Sequence, residues 1–264
     1  MRRAFTLIEL VVAIGILAMV LSFSSAIFRV SIDSHRTAIA NAEIMQKLRA
    51  ITDQLNADFK SIAPGYGGYI GFNTDTFTIA GTSVDVNSDC IAFFAAGDFQ
   101  SSAEYGGKTM AGNVACIFYG PADPNSFGQV PKPKERILLR RQTILTADAP
   151  PAGSDPRGEY YIKSLSEWRV APPFADPEDW VKRPLIDPKD VKAHFVMYLA
   201  KGVDNFTIQF AKSDPSGKIN WVRSKQGGPQ NISTNAFKFT FTLYDSKGVI
   251  REGRTFTHIV YLGN

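Results

Sequence analysis

The chain has 264 residues, 44% hydrophobic and 20% charged, which is too apolar and too mixed for a disordered tail and long enough to bury a core. A mean hydropathy near zero excludes a polytopic membrane protein. The 29 Lys and Arg against 25 Asp and Glu leave a net charge of +4, too small an excess to argue for nucleic acid, and two Cys with three His offer little material for a metal site or cofactor.

Met1-Arg2-Arg3-Ala4 is a short basic start, and from Phe5 to Phe28 the chain is apolar with Glu9 as its single charge. A helix of that length reaches roughly 36 Å, enough to cross a hydrocarbon core of about 30 Å with some tilt. By the positive-inside rule Arg2 and Arg3 hold the N-terminal side in the cytoplasm, so the chain after Arg29 is expected on the far side of the inner membrane. Ser24-Ser25-Ala26 imitates a signal-peptide cleavage site, but the start of the block argues otherwise. Phe5-Thr6-Leu7-Ile8-Glu9-Leu10, after a basic and small-residue tetrapeptide, resembles the processing motif of type IV prepilins and type II secretion pseudopilins. The resemblance implies a leader of residues 1–4, cut by a membrane prepilin peptidase between Ala4 and Phe5, with N-methylation of Phe5 and a helix that stays attached. One departure is Ala4, where the family usually has Gly. Loss of the leader takes Arg2 and Arg3 with it and lowers the net charge from +4 to +2.

Glu9 has a physical role beside the resemblance. A carboxylate one turn into a membrane helix costs several kcal/mol if unpaired, so it needs a partner. The helix dipole offsets only part of that cost, and after cleavage the new amine of Phe5 is the nearest cation. In the resembled family this acid neutralises the N-terminus of a neighbouring subunit, which makes Glu9 the expected assembly residue. The plainer reading is a snorkelling carboxylate at the headgroup level of a single-pass anchor.

Residues 29–63 continue the helix with an amphipathic pattern. Ala38, Ala42, Met45, Leu48, Ile51, Leu55, Phe59 and Ile62 recur at steps of three and four, with Arg36, Glu43, Lys47, Arg49, Asp53 and Asp58 largely between them. One helix from Phe5 to about Ile62, ended by Pro64-Gly65, is expected.

Residues 64–264 read as a β-rich periplasmic head. Strands are expected at Phe77 to Ala80, Cys90 to Ala95, Val114 to Tyr119, Ile137 to Leu145, His194 to Ala200 and Phe206 to Phe210. Further runs follow at Ile219 to Arg223, Ala236 to Tyr244 and Thr255 to Leu262. Phe237, Phe239, Phe241 and Leu243 alternate with polar residues, as in an antiparallel sheet packed on a helix, and Asp214-Pro215-Ser216-Gly217 and Asp245-Ser246-Lys247-Gly248 supply turns. Residues 146–194 hold eight of the 15 prolines and read as an insertion without regular sheet, with Trp168 and Trp180 pinning it to the head or anchoring a partner. Cys90 and Cys116 each open a strand, leaving a disulfide and two buried thiols as alternatives. No catalytic constellation emerges: His35, His194 and His258 are far apart, and His258 reads as a packed core residue.

The expected fold is therefore α+β and pilin-like, a long N-terminal helix on antiparallel sheet. Phe93-Phe94, Ile117-Phe118-Tyr119, Gly202-Val203-Asp204-Asn205-Phe206 and Trp221 give the head a looser resemblance to large J-type minor pseudopilins and to W-type minor pilins. The first resemblance implies a non-enzymatic subunit that joins other minor pseudopilins and the major subunit in a filament tip complex and meets a secreted substrate. The second implies pilus assembly or adhesion. A membrane-anchored periplasmic enzyme or binding protein is the alternative from another class.

Overall fold

The computed structural model describes residues 6–62, 68–71, 75–79, 82–86, 88–127, 131–146, 159–162, 184, 186, 197–214, 217–223, 229–232 and 234–262. Its first element is one continuous helix, α1 (Leu7–Lys60), 54 residues and roughly 81 Å long at the standard rise. It ends two residues before the expected Ile62, where the Ser61 N–H bonds the Asp58 carbonyl at 3.1 Å. Pro64 and Gly65 lie outside the described residues.

The strands are β1 (Gly68–Gly71), β2 (Asp75–Ile79), β3 (Thr82–Val86), β4 (Ile91–Tyr105), β5 (Lys108–Pro121), β6 (Ile137–Thr146) and β7 (Tyr160–Ile162). After them come β8 (Tyr198–Lys201), β9 (Val203–Ser213), β10 (Ile219–Val222), β11 (Pro229–Ile232), β12 (Ala236–Leu243) and β13 (Arg254–Tyr261). One sheet runs β11-β1-β4-β5-β6-β7 with β8 also on β6, and a second runs β10-β9-β12-β13; β2 and β3 form a separate hairpin. The α+β, pilin-like arrangement is as expected: a long N-terminal helix packed on antiparallel sheet. The insertion differs in one respect. Glu-Tyr-Tyr-Ile at 159–162 is free of proline, and its β-forming aromatics place β7 parallel to β6, with Tyr160 opposite Ile144. Trp168 and Trp180 lie outside the described residues.

Helix and sheets share one core. Ile44, Ile51, Leu55 and Phe59 of α1 meet Ile91, Phe93, Ile117 and Tyr119 of the first sheet and Phe206, Ile208, Phe237, Phe239 and Phe241 of the second. Phe59 is the centre of the aromatic packing, 4.4 Å from Phe93 and 5.4 Å from both Phe237 and Phe239 between ring centroids. The apolar stripe begins later and sits slightly rotated from the expected one. Ala40 and Ile44 are buried, whereas Ala38, Ala42 and Met45 face solvent, because the two sheets flank the helix only from Ala40 onward. Asp58 also leaves the polar face and is buried among the core residues.

β4 and β5 form a hairpin longer than the expected runs, closed by Gly106 and Gly107 with φ of 61° and 78°. Two consecutive positive φ values are what a tight hairpin turn requires, and Gly reaches them without steric cost. Gly202, at φ 78°, carries the chain from β8 in one sheet to β9 in the other; a Cβ there would lie 2.8 Å from the Tyr244 carbonyl oxygen. His258 is half-buried at the rim rather than in the core, its Nε2 3.0 Å from Asn56 Oδ1 on α1. Burial lowers its pKa, against the opposing charge of Asp53.

The two thiols lie on the same face of the first sheet, with Ala92, Phe94 and Phe118 in their cluster. The register sets Phe94 opposite Cys116, so Cys90 lies four residues, about 13 Å, along the strand from Cys116, too far for a disulfide. Both are buried thiols, and burial pushes Cys116 up to about 12. Intact mass is expected to be the same with and without reductant, and a maleimide should label neither cysteine in the native protein at neutral pH. Rapid labelling before unfolding would contradict this packing.

Candidate functional site

The N-terminal segment contains the residues to which the sequence assigns a role. Ala4 and Phe5 lie outside the described residues; Thr6 and Glu9 begin the helix. Thr6 is the N-cap, with φ −79° and ψ 148°. Its hydroxyl accepts from the Glu9 N–H at 3.4 Å, while Glu9 Oε2 accepts from the Thr6 N–H at 2.9 Å and the Thr6 hydroxyl at 2.8 Å. This is a reciprocal capping box. Glu9 thus already has one intrachain partner, the helix's own start. The signal lies in Thr6-Leu7-Ile8-Glu9, whose T-x-x-E spacing is that of a capping box. Among the described residues, both bonds that the carboxylate accepts end on Oε2.

Beyond the cap the helix is bare. Leu7, Ile8, Leu10, Phe23, Phe28 and Val30 are each more than half exposed, an apolar surface that water would not tolerate. Its length and composition suit a membrane span. The Ser22 hydroxyl donates to the Ala18 carbonyl at 2.8 Å, which satisfies a polar group that lipid could not.

Three polar clamps join the outer helix to the head. At the lower clamp Lys47 Nζ bonds Glu43 at 2.8 Å and the Tyr244 carbonyl at 2.8 Å, and Glu43 accepts the N–H and hydroxyl of Ser246, each at 2.9 Å. Burial pushes the Glu43 carboxyl up, but the bonds from Lys47 and Ser246 outweigh it and hold it below the usual range. Asn56 with His258 forms the second clamp. In the third, Arg140 Nε and Nη2 reach Asp58 at 2.6 and 2.8 Å, the Tyr119 hydroxyl also donates to Asp58, and Gln54 Nε2 adds a bond at 3.1 Å. Asp58 and Tyr119 are buried, and burial followed by the Asp58 charge pushes the Tyr119 phenol up, so it stays a donor. No local pattern signals this partnership between residues 82 positions apart. Among the described residues no group of three or more His, Cys, Asp or Glu is placed to hold a metal ion.

The arrangement is a bare apolar rod fixed to a large head, with one carboxylate near the start of the rod. It can anchor, pack and transmit force. The chain has no match among curated proteins. Residues 1–25 match the prokaryotic N-terminal methylation motif, which supports a membrane-anchored, type IV prepilin-like chain that is processed by prepilin peptidase and assembles with other pilins.

Proposed function

We propose that this chain is a minor pseudopilin of the J type in a type II secretion system. In this reading it is stored in the inner membrane after cleavage between Ala4 and Phe5, with its head in the periplasm, and is drawn with other minor pseudopilins into a tip complex that primes the pseudopilus. Its work is mechanical rather than catalytic. The observation that carries the reading is the methylation motif at residues 1–25 leading into a single 54-residue helix whose outer half is built into a head of two sheets. A head of this bulk suits a filament tip, where lateral packing is relaxed.

N-terminal sequencing of the mature protein tests the class. A start at methyl-Phe5 is expected, and a start near Ile27 would replace the reading with a cleaved secretory signal. Cross-linking then tests the role: co-assembly with other minor pseudopilins at one end of a filament supports the tip position, and regular incorporation along its length sinks it.

A further inference from the structure

We propose that the membrane-proximal underside of the head binds an anionic lipid surface through Arg36, Lys132, Lys134, Lys201, Lys247 and Arg251. The proposal rests on α1 being a membrane anchor and on nothing in the assignment to a secretion system.

β12 runs antiparallel to α1, since Phe237 meets Phe59 at one end and the Tyr244 carbonyl meets Lys47 at the other. The connection from β12 to β13, residues 244–253, therefore lies at the end of the head nearest the bare part of the helix. Lys134 belongs to the same level, because a Cβ on Gly248 would lie 4.0 Å from its Nζ. Lys201 precedes Gly202, where a Cβ would lie 3.5 Å from Lys47 Nζ. The uninterrupted apolar span ends at Phe28, ahead of Arg29, and Arg36, which lines the underside with Lys247, follows eight helical residues later. Eight helical residues rise about 12 Å. The headgroup layer fills roughly 5–7 Å of that distance on each side of the hydrocarbon core. The remaining gap is shorter than the Debye length of about 8 Å at physiological salt, so charges on the underside sense the surface potential.

None of the six cations has an ion-pair partner among the described residues, while the acids at their level are largely engaged. Glu43 is held by Lys47 and Ser246, Asp204 by Arg136, Asp245 by the Val249 and Ile250 amides at 2.9 Å each, and Glu135 by the Lys132 amide at 3.0 Å. Asp33 and Glu252 remain. With every acid at this level counted, eight cations including Lys47 and Arg136 face six carboxylates, an excess equal to the whole net charge of +2 that the chain keeps without Arg2 and Arg3, so its positive end points at the membrane. A cleft of about 350 Å³ opens at this level, where Arg36 and Lys247 stand beside Ile39 and Val249, and its two carboxylates, Glu43 and Asp245, are turned to their own partners, Lys47 with Ser246 and the Val249 and Ile250 amides. Two cations next to two exposed aliphatic side chains suit a phosphate headgroup and the first carbons below it.

The test uses the full chain reconstituted in vesicles of phosphatidylcholine alone or with about 30 mol% phosphatidylglycerol. A membrane-impermeant amine-acylating reagent is applied, and modification of each lysine is followed by mass spectrometry. Acylation of Lys134 and Lys247 is expected to slow several-fold in the anionic vesicles and to recover in high salt. Lys212 and Lys218, at the far end of β9, serve as internal controls and should not change. Arg36→Gln with Lys247→Gln should reduce the protection of Lys134. Equal rates in the two lipids overturn the proposal, as does protection that depends on protein density rather than lipid charge, which would indicate an acidic protein partner. Failure of the chain to stay in alkaline-washed vesicles would instead refute the anchor.

Discussion

Glu9→Val is expected to leave membrane insertion intact and to abolish incorporation into filaments. Valine is more apolar than glutamate, so the span from Leu7 onward only gains in membrane affinity. Two things are lost together. The Thr6 N–H and hydroxyl lose the acceptor they share on Glu9 Oε2, which weakens the helix start. The carboxylate that would meet the amine of an incoming or neighbouring chain is also gone, and an ammonium left unpaired in the hydrocarbon costs several kcal/mol. Glu9→Gln separates the two contributions, because glutamine serves in a capping box but carries no charge. If the charge governs assembly, the Gln variant fails like the Val variant, read as the fraction of the subunit in sheared or cross-linked filaments. If Gln assembles normally while Val does not, the cap is what matters. Normal incorporation of Glu9→Val removes the assembly role altogether.

For such a subunit to do mechanical work, displacement of the membrane helix must reach the head without loss. In the proposed reading the clamps serve that purpose at two levels: Glu43 and Lys47 on the β12–β13 connection and, two residues apart on α1, Asn56 on His258 and Asp58 on Arg140. Between them the apolar contacts of Ile44, Ile51, Leu55 and Phe59 resist separation but are less specific about sliding. The polar clamps fix the register of the helix against both sheets.

The parts of the fold that local pattern controls were legible from the sequence. The alternation of Phe237, Phe239 and Phe241 with Lys238, Thr240 and Thr242 announced a one-sided strand, and β12 spans Ala236–Leu243 with those phenylalanines buried. The Asp-led turns were legible as well: Asp214 closes onto the Gly217 N–H, and the Asp245 carboxylate takes the amides of Val249 and Ile250. What the pattern hid depends on partners far away in the chain. β7 exists because β6 offers an edge to Tyr160, and Glu159, a charged residue amid prolines, is buried because the Ala103 N–H and Tyr105 hydroxyl reach it from the β4–β5 hairpin. Asp58 looked like a solvent-facing residue because its environment is set by Arg140 rather than by its neighbours on the helix. At the N-terminus, a short motif identified the class of segment, while the capping geometry of Thr6 and Glu9 shows how the carboxylate is held before any second chain arrives.

Arg140→Met is expected to destabilise the head by about 3–5 kcal/mol, the range for removing one partner of a buried ion pair. Asp58 would keep the Tyr119 hydroxyl and Gln54 but would lose both guanidinium bonds, leaving a carboxylate in a site only 6% exposed. Against a domain stability of about 5–15 kcal/mol, a loss of that size is a large fraction of the total. The paired replacement Asp58→Leu with Arg140→Met removes both charges together and should recover most of the loss, since apolar side chains of similar volume often pack as well as a buried pair. Tyr119→Phe should cost far less, about 1–2 kcal/mol, because Arg140 still neutralises the acid. Denaturant unfolding of the full chain in detergent, followed by near-ultraviolet circular dichroism, measures all three. A loss below about 1 kcal/mol for Arg140→Met would mean that water reaches Asp58. The clamp would then position the helix without stabilising it, and the double variant would move the helix against the sheet while leaving the unfolding midpoint in place.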